Sequence, residues 1–145
     1  MSHFVDTLQD VLLENNMTFK DLSRHLPIPT RTIYDLKKFN PTIQNALLIV
    51  DYFSSSLDYF EKRIDIFQCD FNKNYNINFY ENLIKELKIQ NISQAKLCRE
   101  IHISQSCFKR WEKGVLPTYE NLILITNYLV CSIDQILGRN YMAKK

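Results

Sequence analysis

The stretch "ISQAKLCREIHISQSCFKRWEKG", residues 92–114, decides how this chain is read. It places Cys98, His102 and Cys107 within ten residues, beside Lys109, Arg110 and Lys113. Three chemistries compete for such a stretch: a metal site, a Cys/His nucleophile, or a pair of short helices gripping a polyanion. Spacing favours the third. Ser93 is a natural N-cap for "QAKLCREI", its hydroxyl satisfying an orphan amide. Ser104 is placed to do the same for "QSCFKRWEK", which runs into Gly114, the residue type expected just past a helix end. Only residues 102–104 separate the two helices, so they must cross steeply, as a helix-turn-helix does.

Faces follow from that geometry. Leu97, Ile101, Ile103, Phe108 and Trp111 point to a core, and Cys98 takes the close approach, where a small apolar side chain is required. The remaining face of the second helix carries Gln105, Ser106, Lys109, Arg110 and Lys113 at i, i+1, i+4, i+5 and i+8, one polar and basic stripe. Gln can pair bidentately with adenine and Lys with guanine in a major groove. The caps and first-turn amides of both helices, Ser104 included, are suited to phosphate. Zinc sites instead favour close ligand pairs. Here one Cys-x3-His is followed by a cysteine on the next helix, with no fourth ligand. A nucleophilic cysteine needs an exposed thiolate and an orienting acid, whereas both thiols point inward. No metal, no cofactor and no enzymatic activity are expected.

Composition agrees with an all-helical chain. The 145 residues suffice for one medium domain or two small ones. Two glycines and four prolines are too few for a turn-rich β-sandwich. Four irregularly spaced cysteines do not make a disulfide framework. No apolar run approaches the roughly 20 residues of a membrane span, and the N-terminus shows no signal-peptide pattern. A cytoplasmic protein that does not enter the membrane is expected. Residues 1–75 carry 8 Lys/Arg against 10 Asp/Glu, and residues 76–145 carry 10 against 6. The second half is thus the better partner for nucleic acid.

The chain also repeats. Residues 4–39 fall on residues 79–114 at an offset of 75, matching Leu22 with Leu97, Leu26 with Ile101, Ile33 with Phe108 and Leu36 with Trp111. At an offset of 76, "PTIQNALLIVDYFSSSLDYF" falls on "PTYENLILITNYLVCSIDQI". Two copies of a five-helix domain are expected, at 1–61 and 79–140, joined by a linker at 62–78 whose "NKNYNIN" is turn-prone. Thr18, Thr42, Thr118 and Ser132 read as further caps. The aromatics Phe60, Phe67, Phe71 and Tyr75 read as packing for the linker, or as stacking platforms for single strands.

At these residues a resemblance is clear. "SQAKLCREIHISQSCFKRWEKGVLPTYENLILITNYLVCSIDQIL" resembles the Cro and lambda-repressor-like, or XRE, family of helix-turn-helix proteins, over nearly all of 79–138 and more loosely over 4–61. The resemblance implies two tandem lambda-repressor-like domains that bind double-stranded DNA sequence-specifically, as a transcriptional repressor of a phage, mobile element or low-GC bacterium. It implies that Gln94 touches phosphate and braces Gln105, that Gln105, Ser106 and Lys109 face base edges, and that Arg110 and Lys113 face the backbone. Two departures stand out. The family places glycine in the turn, where this chain has His102 in the second copy and Pro27 in the first. His is among the residues more often found at positive φ, whereas Pro is locked near −65°, so the first turn must run differently. The first copy also has Phe19 for Gln94 and Asp35 for Arg110. Its contacts would be Thr30, Arg31, Tyr34, Lys37 and Lys38. Two arrangements stay open: a monomer reading two unequal half-sites, or a homodimer paired through the second copies, with the first copies serving dimerisation or another partner. The rival function is a protein-binding inhibitor that keeps the helix-turn-helix, as some anti-CRISPR proteins do.

Overall fold

The computed structural model describes residues 2–71 and 75–140. Ten helices and no extended strand occur among them. The chain divides after Cys69 into two compact units. The first holds α1 (Phe4–Glu14), α2 (Phe19–His25), α3 (Thr30–Asp35), α4 (Ile43–Tyr52) and α5 (Leu57–Phe60). The second holds α6 (Phe79–Gln90), α7 (Gln94–Ile101), α8 (Ser106–Glu112), α9 (Tyr119–Leu129) and α10 (Ile133–Ile136).

Caps set the helix starts. Thr18 and Asp21 form a reciprocal capping box at α2. The hydroxyls of Thr42, Ser56, Ser93, Thr118 and Ser132 each accept an amide three residues on. Two starts differ. The Ser104 hydroxyl accepts the amide of Ser106, so α8 begins one residue later than the sequence suggests, with Gln105 at the cap position. Pro29 precedes α3 and no side chain caps that helix. At its far end α8 closes with two backbone bonds, Gly114 N–H to Trp111 O at 3.0 Å and Val115 N–H to Arg110 O at 3.1 Å. Gly114 sits at φ +97°, as this closure requires.

The core of the first unit gathers Phe4, Leu8, Leu22, Ile33, Ile43, Ile49 and Leu57, with the Phe4 and Phe60 rings 5.1 Å apart. In the second unit Phe79, Leu83, Leu97, Phe108, Trp111, Leu122, Ile125 and Ile133 are buried. The Phe79 ring meets Trp111 edge-on at 5.4 Å, pinning α6 to α8. Such aromatic contacts add about 0.5–1.5 kcal/mol beyond burial. One residue assigned to the core is only half-buried: Ile103, in the α7–α8 turn.

The stretch read as a linker is shared between the units. Arg63 donates its backbone N–H to Asp58 O at 2.8 Å, and Cys69 donates to Ser54 O at 2.9 Å. The Phe67 ring stands edge-on to Tyr59. In the second unit Asn78 donates to Leu137 O at 3.1 Å. There the Arg139 guanidinium pairs with Asp134 and lies 3.9 Å over the Phe71 ring and 5.3 Å from that of Tyr75. Arg139 is 1% exposed and Asp134 fully buried. These aromatics pack within their own units. Residues 72–74 of "NKNYNIN" lie outside the described residues.

Left-handed backbone falls at matching places in the two units. Asn16 and Asn91, 75 apart, sit at φ 54° and 56°; Ser54 and Val130, 76 apart, both sit at 52°; Lys62 and Gly138, also 76 apart, sit at 62° and 93°. The bonds that close these corners match as well, Met17 N–H to Leu12 O and Ile92 N–H to Leu87 O among them.

Candidate nucleic-acid interface

The α7–α8 pair presents the stripe. Leu97, Cys98, Ile101, Cys107, Phe108 and Trp111 are buried beneath it. Gln94, Ser104, Gln105, Ser106, Lys109, Arg110 and Lys113 are all exposed. His102 takes φ 59°, ψ 48°, the left-handed conformation that the tight turn demands, and Ile103 N–H closes that turn on Cys98 O at 3.0 Å. The Ser104 and Ser106 hydroxyls are 2.8 Å apart. Arg110 donates to Cys107 Sγ at 3.2 Å, a bond that links the exposed guanidinium to the buried thiol.

The cysteines behave as core. Burial pushes the Cys98 thiol up, and the neighbouring Cys107 adds to the shift. An activated nucleophile requires the opposite direction. Cys98 and Cys107 are free thiols. No cluster of three or more His, Cys, Asp or Glu side chains suited to a metal occurs among the described residues. No helix among them is long and apolar enough to cross a membrane.

One bracing contact differs from expectation. No hydrogen bond joins Gln94 to Gln105; the Gln94 side chain lies instead beside the hydroxyl of Tyr80, on the first turn of α6. That hydroxyl donates to Glu112 Oε2 at 3.4 Å. Burial, then the Glu112 charge, raises the Tyr80 phenol, so it remains a donor at neutral pH. Residues 77–81 and the end of α8 line a shallow groove of about 180 Å³ around this contact. Tyr80 was not legible as a site residue because its partner lies 32 positions away.

The corresponding region of the first unit has other chemistry. Thr30, Arg31, Tyr34, Lys37 and Lys38 are exposed. Thr30 donates to the Ser23 hydroxyl at 3.4 Å, tying α3 to α2. Phe19 and Tyr34 rings lie 6.2 Å apart, and Lys37 Nζ sits 5.1 Å over Phe19. No residue between α2 and α3 has positive φ. Pro27 therefore leads the chain through an extended connection rather than a left-handed one, with Leu26 at φ −121°, ψ 147°.

No family model and no solved structure matches the chain. Over 60 residues it is 43% identical to the cryptic phage CTXphi transcriptional repressor RstR of Vibrio cholerae serotype O1. The match covers 41% of this chain and 54% of that repressor, so the chain spans about half the length of the curated relative it matches. The chain is therefore all-helical and similar in part to a phage transcriptional repressor.

Proposed function

We propose that this protein is a sequence-specific double-stranded DNA-binding transcriptional regulator, acting as a repressor, and that residues 79–140 are its principal DNA reader. The observation that carries the reading is the exposed stripe of Gln105, Ser106, Lys109, Arg110 and Lys113 on a helix held by a tight left-handed turn. The partial similarity to a phage repressor points the same way. On this reading Gln105, Ser106 and Lys109 meet base edges, while Ser104, Arg110 and Lys113 hold phosphates. Gln94 meets phosphate from the first turn of α7. The protein needs no cofactor and catalyses no reaction.

The two units are, on the same proposal, tandem XRE-type helix-turn-helix domains. The matching corners at Asn16 and Asn91, Ser54 and Val130, and Lys62 and Gly138 support this. The first unit has diverged: Thr30, Arg31, Tyr34, Lys37 and Lys38 are its DNA-facing set if it reads a second half-site. A second reading, in which that unit contacts a partner protein, draws on Phe39, 67% exposed just past α3, where its backbone N–H bonds the O of the acidic Asp35.

Selection of bound fragments from a random double-stranded library tests the proposal, with recovery of one shared sequence as the expected result. Gln105→Ala should relax preference at one base pair, worth about 1–3 kcal/mol of discrimination. Lys113→Ala should weaken binding to all DNA and lower the salt slope by about one. If Gln105→Ala, Lys109→Ala and Arg110→Ala together left affinity unchanged, the assignment of this face would be wrong.

A further inference from the structure

The stripe contains an apparent contradiction. Glu112 lies seven residues after Gln105, which on an α-helix places it only roughly 20° round from the glutamine. It is also three residues from Lys109. An exposed carboxylate is therefore on the flank of a surface that otherwise carries Lys109, Arg110 and Lys113. Free to swing, it would meet a phosphate or the acceptor edge of a base and repel either.

Glu112 is not left free. Tyr80 Oη donates to its Oε2, from the first turn of α6. The Phe79–Trp111 contact, one residue before each partner, fixes the distance between the two helices. Tyr80 and Glu112 both line the groove between α6 and the end of α8, so the bond draws the carboxylate to that side. The Gln94 side chain lies beside the same hydroxyl, which places the first residue of α7 in this arrangement too.

We propose that Tyr80 is a positioning residue of the DNA-reading face: its hydroxyl holds the Glu112 carboxylate in the α6–α8 groove, away from the polyanion. The inference rests on the DNA-binding reading above. Tyr80 does not itself touch DNA in this role. It governs which way a negative charge points on the reading helix, and through that the net charge offered to the duplex.

A double-mutant cycle tests this in the full-length chain, using the DNA sequence recovered by selection. Tyr80→Phe keeps the ring and removes only the hydroxyl. It should weaken binding about fivefold at low salt, from one lost hydrogen bond and one freed charge, and by less as salt rises. Glu112→Gln alone should change affinity by less than about twofold, because the charge it removes is already turned aside. In the Glu112→Gln background, Tyr80→Phe should have no effect. A merely structural role for Tyr80 predicts the same loss in both backgrounds, and that result would overturn the proposal. An affinity unchanged by Tyr80→Phe in the wild-type background would overturn it too. Failure of the DNA-binding reading itself is distinguishable, because the unaltered protein would then recover no preferred sequence.

Discussion

Replacing His102 with glycine should stabilise the second unit. His102 occupies φ 59°, ψ 48°, where a side chain crowds the following carbonyl. That conformation costs an ordinary L-residue about 1–2 kcal/mol, and somewhat less for His. The side chain is exposed and makes no hydrogen bond among the described residues, so its removal forfeits no contact. Against the relief stands the extra freedom glycine brings to the unfolded chain, about 0.5–1 kcal/mol. The balance is a gain of about 0.5–1 kcal/mol. For a unit of this size it raises the melting midpoint by about 2–8 °C. Trp111 is the sole tryptophan, 4% exposed between Phe79 and Phe108. Its fluorescence therefore follows unfolding of the second unit in the intact chain. His102→Ala is the control, because it retains the β-carbon and should bring no gain. Pro27→Gly, at a turn that never enters the left-handed region, should destabilise the first unit by far-UV dichroism. If His102→Gly left the Trp111 midpoint unchanged or lowered it, the strain argument would be refuted.

Other perturbations probe the same structure. Gly138→Ala builds a β-carbon 2.5 Å from Asn76 O at a backbone with φ +93°. It should lower the stability of the second unit by more than the strain cost of about 1–2 kcal/mol, seen as a lower Trp111-monitored midpoint, and an unchanged midpoint would contradict that. Arg139→Met leaves the fully buried Asp134 without its guanidinium and should lower stability to urea by about 3–5 kcal/mol. Adding Asp134→Asn should recover part of that loss, and no recovery would place the defect in packing instead. The Asp21 carboxyl is held below its ordinary 3.8, first by the Thr18 amide and then by the Thr18 hydroxyl. A lowered folded value means that its support of α2 is complete above 3.8 and is lost as pH falls through the folded value. Asp21→Asn should flatten the acid limb of the first unit's dichroism melts. An acid limb identical to wild type would remove Asp21 from the account.

Local chemistry made much of this fold legible. Caps at Thr18, Thr42, Ser93, Thr118 and Ser132 are read from one residue and the amide three positions on, so a linear string carries them. Cys98 and Cys107 read as core from their helical spacing and are buried, and the left-handed turn at His102 follows from the family resemblance, which places glycine there. Features set by distant partners were less visible. Ser104 lies one residue before the cap position and takes the Ser106 amide, a detail no cap pattern encodes. Ile103 reads as core by its apolarity, yet it lies at the rim of the helix crossing and stays half-exposed. Arg139 looks like a polar tail after a helix stop. It is buried because the closure at Gly138 turns the chain back, its backbone N–H bonding Asp134 O at 2.8 Å. Tyr80 sits at ordinary helical spacing, and only the approach of α6 to α8 gives it a role.

The left-handed corners have a further consequence for motion. Asn91 lies just before α7 and His102 just after it, both at positive φ without glycine. A segment strained at both ends lies closer in free energy to its opened forms than one with relaxed ends, because opening releases the strain. At eight residues α7 is also too short to persist as an isolated helix. Amide exchange should therefore open α7 before α6 and α9. The helix that offers Gln94 would then yield before α6 and α9, free to adjust to the duplex that the proposed function gives it.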